Sequence, residues 1–517
     1  MKMAWFERTE ELMNNHARTV AAIVAISGLV WRLYYSSIFY LNPDEAMHYT
    51  LAATDWHGLV GFYRHATRTY HPPLFLPVLQ GMLFFGRSEW LLRLVPALAG
   101  ALFPWFIMLW LQRFTSNAAA LCAQLLLTFS PSLIILSTEV RAYTLAFLFF
   151  SICLLLLEEA LDRGSSRCMI WCHVFLYLAI LSEYCVIWFV GALGIYALLR
   201  LWKGRASRDL TMVWVLGQLL ALGLYLFLYF THVSQFSHSA VQDMYSTWLQ
   251  DGIPQSHQNL LVFALKGTRR QFSYLFQVRW LAWAGVIIFP LGVLKLWKDR
   301  FPLHATLLVL PFCLACLGAI LHLFPYGETR HSAILGIAIA ASLGVAIASL
   351  TKKHILPILA AALPVIFIWN AIATDPSLTI PRYRRQLSDM RGAIAFLKSS
   401  VPPGSVIVTD IGTDLTLGYY LGCPDYEFES PDEPYRVHPC ANWRFVVAPT
   451  FQFSGPSELR KALEQSHARY HSEQQLWAAT GGFSVAVATP VSESRSFGKT
   501  IAIFTDSGSP VSSMSSR

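Results

Sequence analysis

The chain has 517 residues, of which 55% are apolar, 14% aromatic and only 14% charged, and its mean hydropathy is +0.45. A soluble chain this apolar could not cover its own surface, so these figures exclude a soluble enzyme, a disordered chain and a disulfide-dense secreted module. The formal charge is +8, and from Asp375 onward 13 Lys or Arg face 14 Asp or Glu, which leaves 26 against 17 in the first 374 residues. A basic membrane portion suits anionic headgroups and phosphate-bearing substrates, and no basic stripe on a soluble face points to nucleic acid.

A spanning helix needs about 20 apolar residues. Eleven runs are expected to span: 19–38, 90–111, 117–137, 142–159, 168–184, 186–202, 210–231, 280–297, 303–323, 332–350 and 354–373. The two runs inside 168–202 lie so close that they also read as one long helix with a break. Residues 73–85 are apolar but too short to cross, which predicts an interfacial or re-entrant helix. The turns rich in Lys and Arg are Arg163 to Arg167, Lys203-Gly204-Arg205, Lys298-Asp299-Arg300 and Lys352-Lys353. All four share one side if the N-terminus is cytoplasmic. The first span is then an uncleaved signal anchor. Residues 39–89, 138–141, 232–279, 324–331 and everything after 374 lie outside.

The reading is therefore a polytopic α-helical membrane domain over 1–374, with its first outer loop at 39–89. An extracytoplasmic α/β domain follows over 375–506, then a Ser-rich disordered tail over 507–517. In the α/β domain a helix is expected at Arg385–Ser400, stopped by Pro402-Pro403-Gly404. Strands are expected at Val406–Val408, Phe445–Val447, Phe483–Val487 and Thr500–Phe504, and a helix at Ser457–Tyr470. Cys423 and Cys440 fall in an oxidising compartment and are candidates for a disulfide. The other cysteines lie mostly in apolar runs and behave as small hydrophobes. Cys313-Leu-Ala-Cys316 lies mid-span, where zinc would bring thiolates into hydrocarbon.

The informative polar residues stand beside the outer face. The first outer loop opens Leu41-Asn-Pro-Asp44-Glu45-Ala-Met-His48-Tyr49. Two adjacent carboxylates just past a span are costly unless hydrated, paired or metal-bound. Asp44 reads either as a helix N-cap behind Pro43 or as a general base or metal ligand. The loop closes on Thr69-Tyr70-His71-Pro72-Pro73-Leu74, where His71 caps the turn or touches substrate. In Ser137-Thr-Glu139-Val-Arg141-Ala-Tyr143, Arg141 pairs with Glu139 or meets a phosphate with its planar fork. In Tyr326-Gly-Glu328-Thr-Arg330-His331, Arg330 either snorkels to headgroups or faces substrate. Lys266, Arg269 and Arg270 form a basic cluster that reads as a headgroup-facing amphipathic segment or a phosphate contact.

In chain order, Asp44-Glu45, His71-Pro72-Pro73-Leu74, Arg93-Leu94-Val95-Pro96, Glu139-Val-Arg141-Ala-Tyr143 and Thr329-Arg330-His331-Ser332 form a series. The series resembles the protein-mannosyltransferase and aminoarabinose-transferase group of GT-C membrane glycosyltransferases, especially its bacterial members. The tail from Tyr383 to Ala393, then Pro403-Gly404 and a strand, is similar to the extracytoplasmic domain of those members. The resemblance implies transfer of a monosaccharide from a polyprenyl-phosphate carrier to a hydroxyl or phosphate outside the membrane. It implies Asp44 as the main catalytic carboxylate with Glu45 in support, and it aligns Glu139 and Arg141 with the family's Glu-x-Arg segment. The chain departs from the family with Thr138 and Val140 around Glu139, and with Ser182-Glu183-Tyr184 where relatives often show Thr-His-Tyr. Relatives differ on a divalent metal near the acidic pair, so Asp44 and Glu45 are noted as its candidate ligands and no cofactor is assigned.

The residue chemistry agrees with that implication. Breaking the sugar–phosphate bond leaves a carrier phosphate with one more negative charge, and fixed cations placed where charge develops lower the barrier. Arg141, Arg330 and the Lys266–Arg270 cluster are the candidate cations, with His71, Glu139, Tyr143 and His331 beside them as substrate-binding candidates. Asp44 is the candidate base, and the expected outcome is a single displacement with inversion. The expected partners are the lipid-linked sugar donor, a cell-envelope acceptor (lipid A, polysaccharide, glycolipid or protein) and membrane lipids. The expected location is a bacterial inner membrane. The alternative is a transporter or flippase for a lipid-linked or anionic solute, but midplane sites and inverted repeats are not evident. An O-antigen polymerase or ligase shares the compartment but not the early Asp-Glu and His-Pro-Pro signals.

Overall fold

The computed structural model describes residues 2–54, 58–67, 71–204, 207–236, 245, 249–350, 365–366, 368–372, 387–401, 403–423, 436–448, 470–478, 483–490 and 501–506. They fall into two compact units. The first comprises residues 1–33, 66–75 and 93–375, and the second comprises 34–65, 76–92 and 376–517.

The first unit is a helical membrane bundle. Its helices are α1 (Lys2–Ile38, most of which belongs here), α6 (Leu94–Leu111), α7 (Asn117–Thr128), α8 (Pro131–Ser137), α9 (Tyr143–Arg163), α10 (Ser166–Ser182), α11 (Ile187–Lys203), α12 (Arg208–Thr231), α13 (Leu260–Phe276), α14 (Arg279–Lys298), α15 (Pro302–Ile320) and α16 (Gly336–Leu350). Local chemistry sets their starts. Side chains of Ser116, Ser165, Ser207 and Asn259 accept the first free N–H groups of α7, α10, α12 and α13, as N-caps do.

Eight helices among the described residues are long and apolar enough to cross a membrane, and a ninth crossing results if the bent pair α7 and α8 counts as one. These eight correspond to eight of the eleven expected runs. The run at 117–137 bends by 61° between α7 and α8. Pro131 has no N–H to continue the ladder and holds Ser130 extended, at ψ 122°, as residues before proline are. The run at 168–184 is a 17-residue apolar helix, at the short end of the spanning range. The run at 354–373 lies mostly outside the described residues. Between α10 and α11, Glu183 is extended at φ −158° and ψ 137°, so 168–202 forms two helices.

Two polar groups are built into the bundle. Arg32 of α1 is fully buried, and its Nη1 donates to the carbonyls of Gly28 and Thr128, each at 3.0 Å. Gly100 of α6 makes room beside it, since a Cβ there would stand 2.9 Å from Arg32 Nε. Towards the C-terminal end of α9, buried Glu158 accepts from Tyr196 Oη at 2.5 Å and from Arg200 Nη1 at 3.1 Å, with His304 Nε2 at 3.2 Å. Arg200 also reaches Asp162 at 2.8 Å, and Arg113 pairs with Glu159. This network ties the ends of α9 and α11 to the start of α15.

The second unit contains α2 (Pro43–Ala53), α3 (Gly58–Ala66), α4 (Phe75–Leu83), α5 (Glu89–Leu92), α17 (Leu387–Ser400) and α18 (Ile411–Leu421), with a six-stranded mixed sheet. The short apolar run expected at 73–85 forms the nine-residue α4. The strands are β1 (Val406–Asp410), β2 (Arg436–Cys440), β3 (Trp443–Ala448), β4 (Tyr470–Ala478), β5 (Phe483–Pro490) and β6 (Ile501–Asp506), in spatial order β2-β3-β1-β6-β5-β4. β1 runs parallel to both its neighbours, pairing Ile407 with Phe445 and with Ala502; the remaining pairs are antiparallel. Met390, Ala393 and Leu397 of α17 pack with Ile407, Leu417 and Phe445 in the core. Gly404, at φ +81°, makes the turn from α17 into β1 that a side chain would strain. Cys423 and Cys440 form a disulfide with Cα atoms 5.5 Å apart. β2 and β4 were not foreseen. The helix expected at 457–470 lies outside the described residues up to 469, and Tyr470 opens β4. The tail at 507–517 also lies outside them.

Candidate functional site

His71, Glu183 and Arg141 form one chain of hydrogen bonds in the first unit, with Tyr143 and His331 beside it. Pro72-Pro73 fix the turn after His71, and Leu74 N–H donates to the Leu181 carbonyl at 3.0 Å. That bond fastens the turn to the end of α10, where the backbone break projects Glu183. His71 Nδ1 lies 3.0 Å from Glu183 Oε2 and 3.2 Å from Oε1. On its other side, Arg141 Nη1 lies 3.1 Å from His71 Nε2. A guanidinium only donates, so Nε2 must accept; Nδ1 then carries the proton and donates to Glu183. The geometry thus selects a neutral His71 in one tautomer, held between a carboxylate and a cation.

Arg141 is held from a second direction. Its backbone N–H donates to the Glu139 carbonyl at 2.8 Å, and its Nε stands 4.0 Å from Glu139 Oε2. Both residues are 2–3% exposed, so solvent screening does little to weaken their attraction. The tight bend at 138–142 that presents them follows α8, so the kink at Pro131 aims this segment.

Aromatic rings extend the group. His71 and Tyr143 meet edge-on with centroids 6.0 Å apart, as do Tyr143 and His331. The Tyr143 hydroxyl and His331 Nδ1 share a 3.3 Å hydrogen bond. Tyr274 of α13 is pushed above the ordinary tyrosine value by burial and by Glu139, against the pull of Arg330. Arg330, opening the short 3-10 helix Arg330–Leu335, therefore acts on the same neighbourhood as Glu139.

The basic cluster of α13 has surroundings of its own. Lys266 is exposed, Arg269 lies over the Trp283 ring at 5.5 Å, and Arg270 Nη2 pairs with Asp251 at 3.1 Å. Burial raises the Glu328 carboxyl above its usual value, opposed by Arg270 and Arg269.

The acidic pair Asp44-Glu45 belongs to the second unit. Asn42 is the N-cap of α2: its side chain accepts from Glu45 N–H, and Glu45 Oε2 accepts from Asn42 N–H, both at 3.1 Å. This reciprocal pair is a capping box. The N-cap reading of Asp44 is therefore corrected to Asn42, and fully buried Glu45 is engaged in the cap. Asp44 is half-buried in the first turn, where the helix dipole favours a carboxylate. His48 Nδ1–H donates to its carbonyl at 2.8 Å. Among the described residues no three His, Cys, Asp or Glu side chains come together as a metal-holding set. Glu45 gives one carboxylate oxygen to its cap, and no chemistry is routed through a divalent ion.

Two buried residues of the first unit had no assigned role in the sequence. Glu183 anchors His71, and its signal was a carboxylate in a gap between two apolar runs. Arg32 was a lone charge inside the first run. Ionisable residues at such positions are by default functional or structural hinges.

Residues 70–230 match the family model described as dolichyl-phosphate-mannose-protein mannosyltransferase. No curated protein matches the chain. Among solved structures, the chain is similar to ArnT from Cupriavidus metallidurans bound to undecaprenyl phosphate, at 17% identity and a TM-score of 0.41, covering 78% of this chain and 75% of that one. It is similar to apo ArnT at 15% identity and a TM-score of 0.43, covering 79% and 76%. It is also similar to the Archaeoglobus fulgidus oligosaccharyltransferase tethered to an acceptor peptide, at 10% identity and a TM-score of 0.46, covering 90% and 70%.

Proposed function

We propose that this chain is an integral membrane glycosyltransferase that moves a monosaccharide from a polyprenyl-phosphate carrier to an extracytoplasmic acceptor. One observation carries the reading. The segment matching the mannosyltransferase family model, 70–230, contains the whole buried relay of Arg141, His71 and Glu183. A buried cation beside one carboxylate, and held through a neutral imidazole by a second, is suited to an anion, and the family's donor is a lipid phosphate.

In the proposed reaction the acceptor oxygen attacks the anomeric carbon of the donor sugar. The carbon–oxygen bond to the carrier phosphate breaks, and its electron pair leaves with the phosphate oxygen. The acceptor's proton passes to the Asp44 carboxylate. Attack opposite the leaving group inverts the anomeric centre. The departing polyprenyl phosphate gains one negative charge, for which Arg141 and Arg330 are the proposed counter-charges. One well-aimed donor of this kind lowers such a barrier by about 3–4 kcal/mol. His71 and Glu183 hold the Arg141 plane, while Glu139, Tyr143 and His331 line the same neighbourhood. Glu45 supports Asp44 by fixing the first turn of α2. The proposed setting is a bacterial inner membrane, with the N-terminus cytoplasmic, the tail outside and a cell-envelope acceptor.

Mass spectrometry of host membrane lipids tests the reading, comparing native protein, a deletion and Asp44→Asn. The expected result is that both altered strains accumulate one polyprenyl-phosphate monosaccharide while a surface glycan loses that sugar. A deletion phenotype with a native-like Asp44→Asn would overturn the role of Asp44 and favour transport of a lipid-linked solute.

A further inference from the structure

The second unit holds a cavity of about 300 Å³ that the chemistry above does not use. Its walls include Tyr49 of α2, Arg87 in the turn before α5, Glu89 at the start of α5, Arg391 of α17, and Tyr419 and Tyr420 of α18. The three rings are fixed in place. Tyr419 meets Tyr49 edge-on at 4.8 Å and Tyr420 at 4.8 Å. The Tyr419 hydroxyl donates to the Arg87 carbonyl at 2.6 Å, and the Tyr420 hydroxyl accepts from Leu41 N–H at 2.9 Å. Glu89 is only 7% exposed, and the largely exposed Arg391 stands 4.0 Å from its carboxylate. Burial raises the Tyr49 hydroxyl above its usual value, opposed by Arg87 beside it.

These groups describe a ligand. Rigid tyrosine rings offer apolar edges and faces to the C–H face of a pyranose while their hydroxyls bond to its polar rim. A buried carboxylate accepts from sugar hydroxyls. Two guanidiniums against one carboxylate leave a net positive charge, and their forks match a carboxylate or phosphate bidentately. The volume is at the lower end of the range for small-molecule sites, about 300–1,000 Å³, which suits a single sugar unit. Tyr49 follows Asp44 by five residues on one helix, a rise of about 7.5 Å.

We propose that this cavity is a subsite for an anionic sugar, a hexuronate or sugar phosphate, which forms the terminal unit of the acceptor. Its assignment to the acceptor rests on the transferase reading; its binding of an anionic sugar does not. The sugar comes from solution or as the headgroup of a glycolipid, and both sources present the same chemistry.

The test uses the full chain in phosphatidylcholine nanodiscs, with saturation-transfer NMR of glucose 1-phosphate, glucuronate, glucose and inorganic phosphate. Glucose 1-phosphate and glucuronate are expected to bind at least about tenfold more tightly than glucose or inorganic phosphate. Arg391→Gln should abolish that preference and leave glucose unchanged, and Arg391→Lys should restore part of it. Because Arg391 is exposed, both variants are expected to fold. In nanodiscs containing phosphatidylinositol, weaker capture of glucose 1-phosphate by native protein but not by Arg391→Gln identifies a headgroup source. Absence of any such preference, inorganic phosphate binding as well as glucose 1-phosphate, or Arg391→Gln binding like native overturns the proposal. If binding fails while Asp44→Asn still accumulates carrier-linked sugar, the subsite falls and the transferase stands. If binding holds while Asp44→Asn behaves as native, the sugar site stands and the transferase reading falls.

Discussion

Arg32 donates to the carbonyl of Thr128, 96 residues away, at 3.0 Å. Thr128 is the last residue of α7, and the break before Pro131 ends the helical ladder there. A carbonyl left bare in hydrocarbon is costly, and a cation at a helix C-terminus also complements the dipole. Arg32 therefore seals the kink whose downstream arm, α8, carries the Glu139–Arg141 bend. Arg32→Met should orphan the Thr128 carbonyl, at about 1–3 kcal/mol for that buried group, while the Gly28 carbonyl keeps its backbone bond within α1. The expected outcome is a lowered thermal midpoint in detergent together with reduced transfer. Arg32→Lys keeps one donor and should lie between native and Arg32→Met in both measurements. A native midpoint in Arg32→Met would show that the kink holds without this bond.

The relay through His71 makes a second prediction. Arg141 is oriented by a neutral imidazole, so replacing the anchor should misplace the cation without removing it. A displacement near 1 Å at such a site costs about 100-fold in rate. Glu183→Gln and His71→Ala should each reduce kcat by about 10- to 100-fold, and Arg141→Ala by about 100- to 1,000-fold. The double variant His71→Ala with Arg141→Ala should be no worse than Arg141→Ala alone, because His71 acts through Arg141. Protonating His71 turns Nε2 from acceptor to donor and sets it against Arg141. Independent, multiplicative losses in the double variant would separate the two roles.

The adjacent carboxylates of α2 are expected to part company. Glu45 is engaged with the Asn42 N–H, and a glutamine can accept that bond through its amide oxygen. Glu45→Gln should keep both stability and transfer, whereas Glu45→Ala should cost about 1 kcal/mol, the usual worth of a cap. Asp44→Asn should abolish transfer while costing no more stability than one first-turn carboxylate supplies, about 0.3–1 kcal/mol. Equal loss of transfer in Glu45→Gln and Asp44→Asn at native stability would return Glu45 to the chemistry.

What was legible in the sequence follows from what is local. Eight of the apolar runs, the short α4, and the strands at β1, β3, β5 and β6 each depend on composition and period within a window, and they appear where expected. Pro131 was visible in the run at 117–137, yet a run-length argument counts apolar residues and does not weigh one missing N–H. The capping box escaped for a related reason: Asp44 and Asn42 are both good caps, and only the backbone shows which one stands outside the helix. The relay was half legible. His71 and Arg141 were singled out by their surroundings, but Glu183 lies 112 residues from His71, and only the fold pairs them. Likewise, Arg269 and Arg270 looked available for a phosphate, and Trp283 and Asp251 engage them through tertiary contacts.

The network at Glu158 separates stability from chemistry. Its carboxylate is 2% exposed and is satisfied by Tyr196 and Arg200, with His304 beside it. None of the four belongs to the His71 relay. Removing one partner of a buried ion pair leaves an uncompensated charge, which costs about 3–5 kcal/mol. Glu158→Ala should therefore lower the thermal midpoint more than any relay variant, because Arg200 and His304 lose their shared acceptor together. Glu158→Gln keeps the shape and one acceptor oxygen, so its loss should be smaller. In protein that remains folded, kcat and its pH profile should match native for both variants. Thermal unfolding in detergent, read beside transfer at a temperature below the lowest midpoint, checks both halves. A changed pH profile in folded Glu158→Gln would mean that this buried network communicates with the transfer site.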